Sequence, residues 1–159
     1  MNEPVLFIPK IEAGIVIDHI PVGYGLKILA IIHSYPEMSA VITTVGLNYS
    51  SRKLGRKDLI KLQVQELPPK LREHLALICS GVTFKRIEDY RVQEKITAVV
   101  PSEIVGLARC RNPSCVTNSE GDVVTRFRRV EPAARRFRCA FCERVFELEE
   151  LPVIVRVPG

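Results

Sequence analysis

An α+β chain in two domains is what this 159-residue sequence predicts. Three observations carry that reading. Over the first hundred positions the apolar residues switch between a period of two and a helical period, in the order strand, helix, strand, strand, helix, strand. Four of the five cysteines lie beyond residue 100, as two close pairs. Charge changes character at the same place: residues 1–100 carry 13 Lys and Arg against 10 Asp and Glu, whereas residues 101–159 carry 10 against 8, every basic one being Arg. The boundary is expected at 97–101 (TAVVP), giving domains at 1–100 and 101–159.

Residues 5–11 (VLFIPKI) read as a strand, resumed by Ile15, Val16 and Ile17 after Glu12-Ala13-Gly14. From 23 to 35, Leu26, Ile28, Leu29, Ile31 and Ile32 crowd one broad face, as a buried helix requires, and Pro36 ends it. Residues 40–49 (AVITTVGLNY) are rich in β-branched side chains and read as a strand. A polar, basic loop (SSRKLGRKD) leads to 59–64, where Leu59, Lys61 and Gln63 alternate with Ile60, Leu62 and Val64. Pro68 and Pro69 open a second helix that runs through Cys79, with Leu71, Leu75 and Ile78 on one stripe. Residues 82–95 supply a closing strand, or a hairpin around Asp89-Tyr90. The order is βαββαβ, a ferredoxin-like arrangement with two helices on one face of an antiparallel sheet.

The strongest chemical signal is Cys110-x4-Cys115, then 23 residues, then Cys139-x2-Cys142. Four thiolates in two close pairs can surround one Zn²⁺ tetrahedrally at about 2.3 Å each. Between the pairs, Val123, Val124, Phe127, Val130 and Phe137 are strand material, so a small all-β, zinc-ribbon-like domain is expected. The alternative is a disulfide framework in a secreted domain. An odd cysteine count and the absence of a secretory pattern in MNEPVLFIPK speak against it. With every metal position filled by sulfur, one structural zinc ion leaves no open site for water or substrate. So small a domain also lacks core area, which the metal offsets. Cys79, among Leu75, Leu77 and Ile78, is expected to be a buried, inert thiol.

Composition excludes other classes. At 47% hydrophobic and 26% charged residues the chain can bury a core, which rules out wholesale disorder. Its longest apolar run, 28–32, is far short of the roughly 18 residues of a membrane span, so a soluble, cytoplasmic protein with no membrane partner is expected. No catalytic constellation is found. His33 and His74 lie on the helices, where surface or capping roles are expected. Asp18-His19 has the makings of an acid–base couple, but no Ser or Cys nucleophile stands in an elbow beside it. Gly23-Tyr24-Gly25 lacks the third glycine of a dinucleotide loop, and Gly55-Arg56-Lys57 lacks P-loop spacing.

Cations recur at strand ends in the first domain, at Lys61, Lys85, Arg86 and Lys95. A solvated face is the plain account of them. The sharper account gathers Lys61, Lys85 and Lys95 with Asp18 and His19 at one edge of the sheet, where cations take phosphates and a carboxylate accepts ribose hydroxyls. Tyr90 is then placed to stack on, or bond to, a base.

The runs GIVIDHIP (14–21), Gly46-Leu47-Asn48 and GRKDLIK (55–61), followed by CRNPSC (110–115) and CAFCE (139–143), resemble the regulatory chain of aspartate carbamoyltransferase in order and over nearly the whole length. The resemblance implies a non-catalytic subunit. Its first domain would bind the nucleotide effectors CTP, UTP and ATP, and its zinc domain would dock on the catalytic chains of pyrimidine biosynthesis. By position, Asp18 and Lys61 would contact ribose or base, His19 and Lys95 the phosphates, and Ile11, Ile87 and Tyr90 the base pocket. Asn112, Ser114 and Glu143 would face the catalytic chain. A homodimer of regulatory chains through the first sheet is likewise implied, with 40–47 as the pairing edge. Two departures stand out: Lys85 replaces the Asn frequent there, which bears on base preference or effector response, and Ser114 replaces a second Asn. The competing reading is a nucleic-acid-binding zinc ribbon, on the strength of six arginines and two phenylalanines in 126–138 (RFRRVEPAARRFR), although Glu131 interrupts the run and Glu147, Glu149 and Glu150 follow it.

Overall fold

A computed structural model of the chain describes residues 9–132 and 135–155. It divides into two compact units, Met1–Val99 and Val100–Gly159.

The first unit is a five-stranded antiparallel sheet with two helices. In chain order its elements are β1 (Gly14–Ile20), α1 (Gly25–Ser34), β2 (Thr43–Ser51), β3 (Gly55–Leu62), α2 (Pro69–Ile78), β4 (Thr83–Glu88) and β5 (Arg91–Thr97). The strands lie in the order β2-β3-β1-β4-β5, so the expected βαββαβ core is present and β5 adds an edge. One face of the sheet, carrying Ile15, Ile17, Ile60, Leu62 and Phe84, is buried together with Ile28, Ile31 and Ile32 of α1 and Leu71 and Leu75 of α2. The other face carries Val16, Leu59, Lys61 and Lys85, which stay partly exposed.

Several boundaries differ from the sequence reading, each for a local reason. Of the strand expected at 5–11, residues 5–8 lie outside the described residues and 9–11 make no strand. The strand begins only at Gly14, whose φ of +148° and whose notional Cβ, 2.2 Å from the Leu62 carbonyl oxygen, exclude any other residue. The polar stretch expected as a loop is mostly ladder: Tyr49, Ser50 and Ser51 pair with Lys57, Arg56 and Gly55, leaving a tight hairpin. The choice left open at 82–95 resolves as a hairpin, its turn made by Asp89 and Tyr90 at φ values of 49° and 63°. Leu26, expected on the buried face of α1, is 60% exposed because it falls outside the Ile28-Ile31-Ile32 stripe.

The second unit is a four-stranded antiparallel sheet, β6 (Glu103–Val105), β7 (Arg126–Arg129), β8 (Arg136–Cys139) and β9 (Val145–Glu147), in sequential order. One helical turn, α3 (Val116–Ser119), follows the first cysteine pair. Phe127, Phe137, Ile104 and Leu107 are fully buried, while Val124 is exposed. The tail is tied back as a short extended segment, the Arg109 N–H donating to the Pro152 carbonyl and the Ile154 N–H to the Leu107 carbonyl. The chain is therefore α+β, with a small all-β cysteine-bearing unit after a helix-and-sheet unit.

Candidate functional site

The helix-free face of the first sheet holds a groove of about 410 Å³. Ile11, Asp18, Lys61, Lys85, Ile87 and Tyr90, all singled out from sequence, line it together with Lys10, Val16, Leu59 and Val92. The ladder explains why residues so far apart in sequence meet. Val16 pairs with Lys61 on one side and Lys85 on the other, and Lys85 pairs with Lys95. Paired residues share a face, so Lys61, Val16, Lys85 and Lys95 form one row across four strands.

Asp18 is the electrostatic hub. It is 6% exposed, and its two carboxylate oxygens meet Lys57 Nζ at 2.8 Å and Lys85 Nζ at 2.9 Å. The His19 N–H also donates to it at 2.7 Å. Burial alone raises the carboxyl, but the two lysines and the His19 N–H outweigh it and hold Asp18 well below the usual carboxylate range. His19 itself sits at φ 59° in the bulge between the Ile17–Ile60 and Ile20–Asp58 pairs. Its Nδ1 shares a hydrogen bond of 3.2 Å with Thr83 Oγ1. Burial lowers its ring below the ordinary value, with Asp18 opposing and Lys57, Lys85 and Lys53 adding to the shift. Burial likewise lowers the Lys61 ammonium, which donates to the Pro9 carbonyl at 2.7 Å and so fastens the segment before β1 beside the groove. The Tyr90 N–H, donating to the Glu12 carbonyl at 3.0 Å, fastens the same segment from the hairpin.

Two residues of consequence escaped the sequence reading. Lys57, the other partner of Asp18, was visible only as part of GRKDLIK. Asp58, 1% exposed, accepts the N–H groups of Gly23 and Gly25 on one oxygen and that of Asn48 on the other, at 3.2, 3.0 and 3.0 Å. It clamps the first turn of α1 to β3, a use of a carboxylate at a helix N-terminus. His74 needs correction as well: it is fully buried, its Nδ1 bonded at 3.2 Å to the hydroxyl of Tyr35. Cys79 is buried as expected, and burial pushes its thiol up to about 11.

In the second unit Cys110, Cys115, Cys139 and Cys142 bring their sulfurs within 4.8 Å of one another. The Cys110–Cys142 and Cys115–Cys139 separations are 3.7 and 3.8 Å. An edge of about 3.8 Å is what a tetrahedron with metal–sulfur bonds of about 2.3 Å requires, and it is far too long for a disulfide. Backbone N–H groups point at the sulfurs, from Asn112 to Cys110, from Phe141 and Cys142 to Cys139, and from Arg144 to Cys142. Such donors favour thiolate ligands. Burial pushes the Cys110 and Cys139 thiols up; at Cys142 burial is outweighed by the Arg144 N–H, the Asn112 side chain and the neighbouring thiols, which hold it down to about 7. Four clustered thiols, two of them pushed up by burial, with N–H donors aimed at their sulfurs fit a divalent cation, which favours the thiolate forms. Asn112 is 7% exposed, its Oδ1 accepting from the Ser114 N–H at 3.1 Å, whereas Ser114 and Glu143 are exposed at the tips of the two cysteine loops.

The arginine-rich stretch is largely engaged. Arg126 pairs with Glu103, Arg135 with Glu149 and Arg136 with Glu147, and Arg129 donates to the Val100 carbonyl at 2.7 Å.

Two family models match the chain. One, the allosteric domain of the aspartate carbamoyltransferase regulatory chain, matches residues 6–99; the other, the metal binding domain of the same chain, matches residues 102–152. Both describe a regulatory chain and neither a catalytic one, and that is the class this fold and its two sites define. Relatives named aspartate carbamoyltransferase regulatory chain include those of Pyrococcus abyssi, 38% identical over 92% of this chain and 95% of the relative, and Thermofilum pendens, 39% identical over 94% of each. That of Methanothermobacter thermautotrophicus is 36% identical over 95% of this chain and 96% of its own length. The chain belongs to the family of aspartate carbamoyltransferase regulatory chains.

Proposed function

We propose that the first unit binds nucleotide effectors, CTP, UTP and ATP, in the groove over the lysine row, and that the second unit carries the consequence to catalytic chains of the pyrimidine pathway. The observation that carries this reading is the convergence of Ile11, Asp18, Lys61, Lys85, Ile87 and Tyr90 on one groove, with Lys95 continuing its cations across the sheet. Phosphates suit Lys95 and His19, ribose hydroxyls or base edges suit Asp18 and Lys61, and Ile11, Ile87 and Tyr90 offer an apolar and aromatic seat for the base.

In the second unit the metal is zinc, bound by four sulfurs and closed to substrate. Its work is to hold the cysteine loops in one shape. Ser114 and Glu143 on those loops, beside exposed Phe141 and Val116, form the surface for a catalytic chain, and Asn112 acts from beneath it as a positioning residue. The β2 edge of the first sheet, with Leu47 and Ile42 exposed, suits pairing with a second regulatory chain. An effector changes activity only through different contacts in two quaternary states, and such couplings amount to about 1–3 kcal/mol. Calorimetric titration of the full chain with CTP and with ATP tests the reading. Saturable binding, with NMR shifts at Lys61, Tyr90 and Lys95, is the expected result; no binding, or shifts confined to Val100–Gly159, overturns it.

A further inference from the structure

We propose that Asn118 is the positioning residue of the surface offered to a catalytic chain: its amide group fixes the shape of the first cysteine loop and, through Asn112, ties that loop to the second. The inference rests on the docking reading above and deepens it.

The two cysteine loops differ in length, with four residues between Cys110 and Cys115 and two between Cys139 and Cys142. The shorter loop closes on its own backbone, the Glu143 N–H donating to the Cys139 carbonyl at 3.0 Å and the Cys139 N–H to the Arg144 carbonyl at 2.9 Å. The longer one has two more residues to place, and a metal ion fixes only the sulfurs at its ends. Asn118 supplies the missing restraint. It sits on α3, its N–H donating to the Cys115 carbonyl at 2.9 Å, and its side chain reaches back over the loop. Nδ2 donates to the carbonyls of Cys110 and Asn112, each at 2.8 Å, so both amide hydrogens are used on backbone oxygens eight and six residues away.

The bond to Asn112 matters most. That carbonyl also accepts the Cys115 N–H at 3.0 Å, so both of its lone pairs are engaged. With its backbone held, the Asn112 side chain accepts the Ser114 N–H at 3.1 Å on Oδ1 and donates to the Cys142 sulfur of the other loop. Asn118, Asn112 and Cys142 thus form one hydrogen-bonded chain from α3 across both loops, with exposed Ser114 attached to it. Asn118 is itself exposed, so it acts through these bonds rather than by packing.

The test measures, by calorimetry, binding of the zinc-loaded full chain to isolated catalytic chains of aspartate carbamoyltransferase, for the wild type, Asn118→Ala and Asn118→Asp. Aspartate keeps the size of the side chain but, when ionised, has no hydrogen to donate and sets a negative charge against two carbonyl oxygens. A loop that samples other shapes binds in proportion to the fraction still competent. Both variants are therefore expected to bind about tenfold or more weakly, the scale of two lost hydrogen bonds. Loaded with cobalt(II), they should keep the wild-type thiolate-to-metal absorption bands. Their amide NMR shifts should move at Asn112 and Ser114 and stay in place across Met1–Val99. Unchanged binding in both variants overturns the proposal and leaves the docking reading standing. Altered cobalt bands overturn it too, because Asn118 would then serve the metal site itself. Failure of the wild type to bind catalytic chains overturns the docking reading and the proposal with it.

Discussion

Asp18 and His74 are the residues on which the chemistry of the first unit turns. Asp18 has a folded-state value below its unfolded one, so its contribution to stability is present above the unfolded value of about 3.9 and is lost as pH falls through and below it. Urea denaturation followed by circular dichroism should show the midpoint of the first unit dropping as pH is lowered through about 4. Asp18→Asn should remove that part of the slope; an unchanged slope would mean that Asp18 is not the group being titrated. Asp18 and His19 were legible in sequence because two polar residues at the end of an apolar strand call for a reason. Lys57 was not, since its partnership depends on a register between strands some forty residues apart. His74 teaches a complementary lesson. It lies three residues beyond Leu71 and next to Leu75, so it shares their buried stripe, and a polar residue on such a stripe is a sign of an internal partner. Tyr35, whose hydroxyl burial raises to about 12, is that partner, and no local pattern could name it.

At the scale of elements, Asp58 joins α1, β2 and β3 through the N–H groups of Gly23, Gly25 and Asn48. Asp58→Ala leaves these donors without an acceptor at a position that is 1% exposed, and a loss of about 3 kcal/mol or more follows from the cost of each. Equilibrium unfolding in urea measures it, and a loss below about 1 kcal/mol would show that water replaces the carboxylate freely. Helices and central strands were readable because burial imprints their periods: Ile28, Ile31, Ile32, Leu71 and Leu75 mark the helices, and Ile15, Ile17, Ile60 and Leu62 the strands. Elements that bury little leave no such imprint. β5 is exposed along all seven residues, and β6 and β9 have three residues each, so turn geometry and pairing decide them. Residues 50–51 and 55–58, which lie in the strands on either side of the turn at 52–54, read as loop for the same reason, being mostly polar.

The whole molecule is two units with different sources of stability. The first has a conventional apolar core, whereas the second rests on Phe127, Phe137 and a few neighbours around the four-thiol cluster. Metal removal should therefore act on one unit only. After chelation, NMR resonances of Val100–Gly159 should collapse toward random-coil positions while those of Met1–Val99 keep their dispersion. Simultaneous collapse of both would show that the first unit does not stand alone. The cysteine spacing made this division legible, but the arginine run did not disclose its own role, because the carboxylates that engage it come from β6, β9 and the turn after β9. β5 has the last consequence. With no buried side chain from Arg91 to Thr97, it is held mainly by its ladder to β4, yet it carries Lys95. Because Lys95 pairs with Lys85 across that ladder, anything bound over the lysine row would touch the loose hem of the unit as well as its centre.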